Sequence, residues 1–390
     1  MASLMNRRNW LKSGALLAGS VSLLPTGLEA LAAPRPAAPA APSPLADVLT
    51  DEQALLAAPG PLKARLSANE NPFGPSDKAK QAILESVTSC YQYPMQSKEL
   101  IQMIADYEGL TPAHILLDAG SSPLLLAAAM HFGQQGAIIT GDPSYADLPR
   151  KAEKFKSAIV VVPLTADYKL DLDAMEKKVD ARTALMYICN PNNPTGTVLD
   201  AAKLKAFAAR VSQKVPVFVD EAYIDYLPDP RGASLMDAVK QGQNVMVART
   251  FSKLYGFAGL RVGYLVAQPD TIVALSKYAV GPMSISAPAV RAAVVSYQDQ
   301  PYMQDALKKT LASKQFLYDV LKREGYAYIP SATNFVMFPL KMDGKRFVEE
   351  MGKRGVSVRN WEFNNQQWCR VSIGRMDEMQ AFATAFTQVS

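Results

Sequence analysis

The alternation of short apolar runs with amphipathic segments is the feature that most constrains this chain. From about residue 110 it predicts strands at Ile115–Ala119, Ala137–Thr140, Ala158–Pro163, Ala184–Cys189, Val215–Asp220, Asn244–Ala248 and Val262–Ala267. Between several of these strands it predicts helices at Leu124–Phe132, Leu172–Val179 and Ala201–Val211. Such an alternation indicates an α/β fold in which helices cover both faces of a mostly parallel sheet.

The pattern changes after about Leu275, where long helical segments precede strands predicted at Asn334–Phe338 and Cys369–Ile373. This change indicates a second, smaller α+β domain. We therefore predict a large domain over residues 76–275 and a small C-terminal domain over residues 276–390. Residues 45–75 are predicted to form an N-terminal arm that contributes to the small domain and to the active site.

The first 44 residues are predicted to lie outside the folded body. Residues 1–32 combine Arg7-Arg8, an apolar run and an Ala-x-Ala end, which is typical of a secretory signal and resembles the twin-arginine type. A chance membrane anchor is the alternative. Residues 33–44 are a linker rich in proline and alanine. We expect a periplasmic protein that meets the membrane only during export, and a cytoplasmic protein is the alternative.

The composition excludes several classes of chemistry. The chain has two histidines, His114 and His131, and its three cysteines are far apart in sequence, so neither zinc spacing nor a disulfide framework is present. Its 41 basic and 36 acidic residues are spread along the chain without a basic stripe, which argues against nucleic-acid binding. We therefore predict no metal and no Ser-His-Asp triad. If the chain is an enzyme, a group other than imidazole moves its protons.

Polar segments follow four of the predicted strands directly, at residues 120–122, 190–196, 220–223 and 249–253. In open parallel sheets, ligands bind beyond the carboxyl ends of the strands. We therefore expect these four segments to lie together around one site.

Two residues in these segments point to covalent catalysis. Lys253 lies among the hydroxyls of Thr250 and Ser252, with Arg261 shortly after it. A nucleophilic lysine must be uncharged, which partial burial and a neighbouring cation both favour. Asp220 ends an apolar strand, where a carboxylate is costly unless it is paired. The alternatives are a solvated surface lysine and a helix N-cap.

Six motifs in order, between residues 67 and 375, carry a resemblance to a known family. They are Asn69-Glu70-Asn71-Pro72-Phe73-Gly74-Pro75, Tyr93-Pro94, Asn193-Pro194-Thr195-Gly196, Asp220-Glu221-Ala222-Tyr223, Ser252-Lys253 with Gly259-Leu260-Arg261-Val262-Gly263, and Arg370. Together they resemble the class I/II aminotransferases of pyridoxal-phosphate fold type I, in particular the histidinol-phosphate aminotransferase branch. The resemblance implies a seven-stranded large-domain sheet and pyridoxal 5'-phosphate as the cofactor.

The resemblance also implies roles for residues around the cofactor. Lys253 would form a Schiff base with it, Asp220 would pair with its pyridine nitrogen, and Tyr145 would stack on its ring. Tyr223 and Asn193 would donate to the ring oxygen. The cofactor phosphate would be bound by Ser121, Ser122, Thr250, Ser252 and Arg261.

Further residues are expected to bind the substrate or complete the dimer. Arg370 suits a bidentate contact with an α-carboxylate, and the resemblance places Asn69, Phe73 and Asn334 in the same pocket. Arg359 matches a position that contacts a distal phosphate, and a surface salt bridge is equally compatible with it. Tyr93 matches a tyrosine that reaches the neighbouring subunit's cofactor, which implies a homodimer. A plain core role is the alternative for Tyr93.

We expect a transaminase that moves an amino group between an amino acid or amino-phosphate substrate and a 2-oxo acid. The displaced Lys253 would carry the α-proton, which explains why so few histidines suffice. A decarboxylase, lyase or oxidase of the same fold is the first alternative, and a non-catalytic exported binding protein is the second. Because histidine biosynthesis belongs in the cytoplasm, export favours a different amino substrate, either anionic or aromatic.

Overall fold

The computed structural model describes residues 62–389. Its strands are β1 (Ala64–Arg65), β2 (Ile115–Asp118), β3 (Ala137–Asp142), β4 (Ile159–Pro163), β5 (Thr183–Cys189), β6 (Val217–Asp220), β7 (Val245–Thr250), β8 (Gly263–Val266), β9 (Phe335–Pro339), β10 (Val356–Ser357), β11 (Arg359–Phe363) and β12 (Gln366–Ser372). Its α-helices are α1 (Asp77–Ser86), α2 (Ser97–Glu108), α3 (Ser121–Gly133), α4 (Asp147–Glu153), α5 (Leu172–Lys177), α6 (Ala201–Val211), α7 (Pro230–Ala233), α8 (Met236–Lys240), α9 (Pro269–Ser276), α10 (Ala287–Ser296), α11 (Gln300–Arg323), α12 (Gly344–Lys353) and α13 (Met376–Phe386).

A seven-stranded sheet forms the centre of the fold, in the order β2-β8-β7-β6-β5-β3-β4. Strands β3 to β7 pair in parallel, whereas β8 runs antiparallel to both of its neighbours, β2 and β7. Each strand coincides with one predicted from the apolar runs, within a few residues at its ends. The predicted α/β fold with a mostly parallel seven-stranded sheet is confirmed.

The central strands are apolar along their whole length because both of their faces are buried. In β6, Val217 and Val219 pack into one hydrophobic cluster and Phe218 packs into another on the opposite face. The neighbouring strand β7 repeats this division, with Val247 on the first face and Met246 on the second. Consecutive side chains of a strand point to opposite faces, so each strand contributes to both cores.

A smaller antiparallel sheet, in the order β11-β12-β9, lies near the C-terminus. Its core includes the buried aromatic side chains of Phe338, Phe347 and Phe386, which meet edge to face. Strand β1 pairs in parallel with β10, so the segment that begins at residue 62 is held against this C-terminal part of the chain. The predicted domain boundaries stay predictions, and the predicted signal and linker over residues 1–44 lie outside the described residues.

Residues 62–389 contain neither a membrane-spanning helix nor a cluster of metal-binding side chains. Among these residues, no helix has both the length and the apolar character needed to cross a membrane. The same residues contain no group of three or more His, Cys, Asp or Glu side chains that could hold a metal ion.

We predict that Leu185→Ala lowers the free energy of unfolding by about 2–5 kcal/mol, because Leu185 is fully buried in β5 and its truncation leaves a cavity. Leu311→Ala is the matched control, since Leu311 is half exposed on α11, and it should cost roughly 0.5 kcal/mol. Urea unfolding of both variants measures the difference. An equal decrease in the free energy of unfolding for both variants would contradict the burial of Leu185 in the core of this sheet.

Candidate active site

A cavity of about 900 Å³ opens beyond the carboxyl ends of the central strands. Twelve of the predicted site residues line it, namely Ser121, Ser122, Tyr145, Asn193, Asp220, Tyr223, Thr250, Ser252, Lys253, Arg261, Arg359 and Arg370. Parallel strands end at a common edge, and the segments that follow β2, β5, β6 and β7 therefore meet there. The structure thus brings the four polar segments together as expected.

Asp220 is the last residue of β6 and is 2% exposed. Its carboxylate accepts hydrogen bonds from the backbone N–H of Ala222, at 3.1 Å, and from the hydroxyl of Tyr187, at 3.4 Å. Burial raises the pKa of Asp220 to about 6 despite these bonds and the nearby Lys253 ammonium. A cationic hydrogen-bond donor in the cavity would offset the cost of burying this charge.

Lys253 and Tyr223 are connected through Asn69. Nζ of Lys253 donates to the backbone carbonyl of Asn69 at 3.3 Å and lies 5.3 Å from the centroid of the Tyr223 ring. The Tyr223 hydroxyl accepts hydrogen bonds from Nδ2 of Asn69, at 3.0 Å, and of Asn193, at 3.4 Å. The amine of Lys253 and the phenol of Tyr223 therefore belong to one polar cluster.

Arg370 is fully buried in β12. Its guanidinium donates to Oδ1 of Asn193 at 2.6 Å and to the carbonyl of Ser67 at 2.7 Å, and it lies over the Phe335 ring. These bonds hold the guanidinium between the segment after β5 and the segment after β1.

A second part of the cavity is suited to a phosphate. Ser121 and Ser122 begin α3, whose N-terminal N–H groups and dipole attract anions. Arg261 donates to Oγ of Ser252 at 3.1 Å, which holds its cation near this helix end. Gly120 adopts a φ of +93°, and a side chain there would collide with the Arg261 guanidinium. Hydroxyls, a helix N-terminus and a cation thus converge on one spot.

Arg359 and Arg370 form a pair of neighbouring cations. They lie directly opposite each other on β11 and β12, and the guanidinium of each lies within about 6 Å of the centroid of the Trp361 ring. Arg359 is 6% exposed, so it is buried in the wall of the cavity and does not lie at the surface. This wall of the cavity is suited to a ligand that carries negative charge.

Four predicted residues do not line the cavity. Asn69 is fully buried behind Lys253 and Tyr223, and Asn334 donates to the carbonyls of Asn69 and Glu70 at 3.1 Å. Phe73 packs against the cluster that contains Tyr223. Tyr93 is 78% exposed. Asn69, Asn334 and Phe73 therefore support the cavity from behind, and Tyr93 faces outward.

The sequence interpretation missed several lining residues. Asp142 ends β3 and Ser144 follows it, while Asp147, Arg150 and Lys151 lie on α4. The rule that points to strand ends would have found Asp142 and Ser144, because β3 ends at the same edge of the sheet, whereas the three residues of α4 reach the cavity through the position of that helix. Trp361 and the bidentate pair between Arg65 and Glu70 also line the cavity. Trp361, Arg65 and Glu70 reach the cavity only because the folded chain brings segments that are distant in sequence together.

Comparisons with known proteins show the family of this chain. A family model described as aminotransferase class I and II matches residues 62–386. Histidinol-phosphate aminotransferase 2 of Carboxydothermus hydrogenoformans is 36% identical over 317 residues, covering 80% of this chain and 86% of that protein. An aromatic amino acid aminotransferase of Cutibacterium acnes is 32% identical over 327 residues, covering 83% of this chain and 92% of that protein.

A solved structure is similar over nearly the same extent. Histidinol-phosphate aminotransferase from Sinorhizobium meliloti, in complex with pyridoxal-5'-phosphate, has a TM-score of 0.80 at 28% identity and covers 88% of this chain and 95% of that one. The match to the family model and the relative at 36% identity confirm the resemblance read from the six motifs. This chain belongs to the aminotransferase class I and II family.

Proposed function

We propose that this protein is a pyridoxal-phosphate-dependent aminotransferase whose reactive amine is Nζ of Lys253. One observation carries the proposal: Lys253, the buried Asp220 carboxylate and the phosphate-type cradle line the same cavity. Family membership and the pyridoxal-phosphate complex of the Sinorhizobium meliloti relative support the same cofactor.

The residues of the cavity fit this cofactor by their chemistry. Ser121, Ser122, Thr250, Ser252 and Arg261 would hold its phosphate. Asp220 would face its pyridine nitrogen, and the cationic form of that nitrogen would offset the burial that raises the pKa of Asp220 to about 6. Tyr145 lines the cavity where it would stack on the ring. When bound, pyridoxal phosphate supplies an electron sink for negative charge at the substrate's α-carbon.

The chain's own residues then move the proton and orient the groups. Nζ of Lys253 would accept the proton from the substrate's α-carbon and later release it, as a general base and then a general acid. Tyr223 and Asn193 share a hydrogen bond and would donate to the cofactor's ring oxygen. Asn69 contacts both Lys253 and Tyr223, so it holds the base and the phenol in one arrangement.

The substrate would be an amino acid or amino-phosphate that carries a second anionic group. Arg370 would bind the α-carboxylate, and the neighbouring Arg359 would bind the distal anion. Trp361 lines the cavity beside both cations and adds an aromatic wall. The name of one relative, histidinol-phosphate aminotransferase, supports a phosphate as the distal anion, and the name of the other, aromatic amino acid aminotransferase, supports an aromatic side chain beside Trp361 as the second candidate.

The protein would act as a homodimer in which Tyr93 reaches the neighbouring subunit's site. Leu84, Val87, Tyr91, Tyr93 and Met95 are all more than half exposed along one short segment. Monomers rarely leave such a run of large apolar side chains in water, so a second copy would cover it.

The protein would work in the periplasm. Residues 1–32 have the charged start, apolar run and Ala-x-Ala end of a signal, with adjacent arginines at 7 and 8. Export by the twin-arginine route suits a cofactor enzyme, because that route carries folded proteins.

Lys253→Ala tests the function. We expect wild-type protein mixed with pyridoxal phosphate to develop a visible absorbance band, and borohydride to fix the cofactor to the peptide that contains Lys253. The variant should lose this band and at least about a hundredfold of its activity, because it lacks the amine that carries the proton. Lys151→Ala is the matched control, since Lys151 lines the same cavity and should leave the band in place.

A panel of amino donors with 2-oxo acids identifies the reaction. Anionic, aromatic and phosphate-bearing donors should each be offered with 2-oxoglutarate, and the new amino acid measured. A protein that stays colourless with the cofactor would refute the enzyme proposal. Release of carbon dioxide or ammonia, without a new amino acid, would favour the decarboxylase or lyase alternative.

Tyr93→Phe tests the shared site. Loss of the hydroxyl should weaken cofactor binding by roughly tenfold, which is the worth of one hydrogen bond to a charged group. Tyr91→Phe is the control, because Tyr91 is 85% exposed in the same segment. Titration with the cofactor measures the dissociation constant of each variant, and sedimentation measures the oligomeric state. A monomer of full activity would contradict the dimer proposal.

Arg7→Lys combined with Arg8→Lys tests export. The double variant should stay in the cytoplasm at full length, whereas wild type should reach the periplasm without residues 1–32. Arg35→Lys in the linker is the charge-matched control and should be exported normally. Cell fractionation shows where each protein is located, and intact mass shows whether residues 1–32 have been removed. Wild-type protein that stays cytoplasmic with residues 1–32 attached would exclude the export proposal.

A further inference from the structure

Lys314 is a buried cation that the transamination scheme leaves without a role. It lies on α11 and is only 6% exposed. No carboxylate among residues 62–389 forms an ion pair with it; its Nζ donates instead to the backbone carbonyls of Ser331, at 2.9 Å, and Thr333, at 2.8 Å. A buried ammonium without a counter-ion is costly, so these two bonds must offset its desolvation.

The desolvation of the Lys314 ammonium also lowers its pKa. Burial alone lowers the pKa of Lys314 to about 8, and no charged neighbour contributes to the shift. The side chain is therefore still charged at neutral pH, and the two carbonyls accept charge-assisted hydrogen bonds.

The two carbonyls belong to a turn over residues 331–334 that forms hydrogen bonds with Lys314, Tyr318 and Gly196. Besides Lys314, the Tyr318 hydroxyl on α11 accepts a hydrogen bond from the N–H of Ser331 at 2.9 Å. In addition, the N–H of Ala332 donates to the carbonyl of Gly196, in the segment after β5, at 2.8 Å. The turn therefore connects α11 with the segment that carries Asn193.

The end of this turn contacts the polar cluster of the cavity. Nδ2 of Asn334 donates to the Asn69 carbonyl at 3.1 Å, and the same carbonyl accepts the bond from Nζ of Lys253. Asn69 also donates to the Tyr223 hydroxyl. A displacement of the turn would thus move a carbonyl that binds the reactive amine.

We propose that Lys314 is a positioning residue, which holds the turn over residues 331–334 so that Asn334 and Asn69 orient Lys253 and Tyr223. The ammonium does not touch the cavity; it acts through two backbone carbonyls and the side chain of Asn334. This inference rests on the proposed function only for its kinetic consequence, since the turn is held by Lys314 whatever the reaction is.

Lys314→Met in the full-length holoenzyme tests the proposal, because methionine keeps the volume and removes the charge and the donors. Amide hydrogen exchange in the peptide over residues 331–336 should accelerate at least tenfold. The kcat should fall by about ten- to a hundredfold, the effect of a misplaced reacting group, with a smaller change in KM. Lys308→Met is the matched control, since Lys308 is exposed on the same helix, and both readouts should match wild type.

Tyr318→Phe serves if Lys314→Met does not fold. It removes one acceptor for the same turn while keeping the aromatic ring, so exchange and kcat should change in the same direction by a smaller factor. A folded Lys314→Met variant with unchanged amide hydrogen exchange and unchanged kcat would overturn the proposal. If Lys314→Met does not fold, a Tyr318→Phe variant whose hydrogen exchange and kcat match wild type would also overturn it. If wild type does not transaminate, the proposed function fails, whereas hydrogen exchange still decides whether Lys314 holds the turn.

Discussion

The buried carboxylate of Asp220 is the constraint around which the site is organised. A charge at the end of a central strand, 2% exposed, is unfavourable unless a partner compensates for it. The parallel sheet brings compensating groups to this position, because β5, β6 and β7 all end at one edge. Lys253 comes from the segment after β7, and Tyr187 donates from β5. In the proposed function, a cofactor with a protonated ring nitrogen would complete the set.

Asn69 is the second centre of the site, and it connects parts of the chain that are far apart in sequence. Its N–H donates to Oγ of Ser372 at 2.7 Å, and its side chain accepts from the same hydroxyl at 2.9 Å. Its backbone carbonyl accepts hydrogen bonds from Nζ of Lys253 and Nδ2 of Asn334, while its side-chain amide donates to the Tyr223 hydroxyl. Its φ of 55° lies in the left-handed region, which asparagine tolerates better than most residues. The N-terminal segment is thereby part of the site.

Much of this arrangement was predictable, and the exceptions have physical causes. The strands β2 to β8 were predictable because a strand buried on both faces is continuously apolar. Asp220 ends one such strand, and Asn193 and Lys253 come shortly after two others. The reversed direction of β8 was not predictable, because apolar periodicity carries no information about strand direction. Asp142 ends β3 and was within reach of the strand-end rule, whereas Asp147 and Lys151 lie on α4, and the rule says nothing about which helix residues face the cavity.

The sequence by itself determined the α/β class and the family, because these depend on local periodicity and on motifs of adjacent residues, and it predicted Lys253 and Asp220 as site residues. Only the tertiary structure decided that Arg359 lies opposite Arg370, that Trp361 lies beside both, and that Arg65 and Glu70 line the cavity. It also decided that the buried Lys314 is bound to backbone carbonyls rather than to an acid. Such contacts join residues that are distant in sequence, and strand register and helix packing bring them together only in the folded chain.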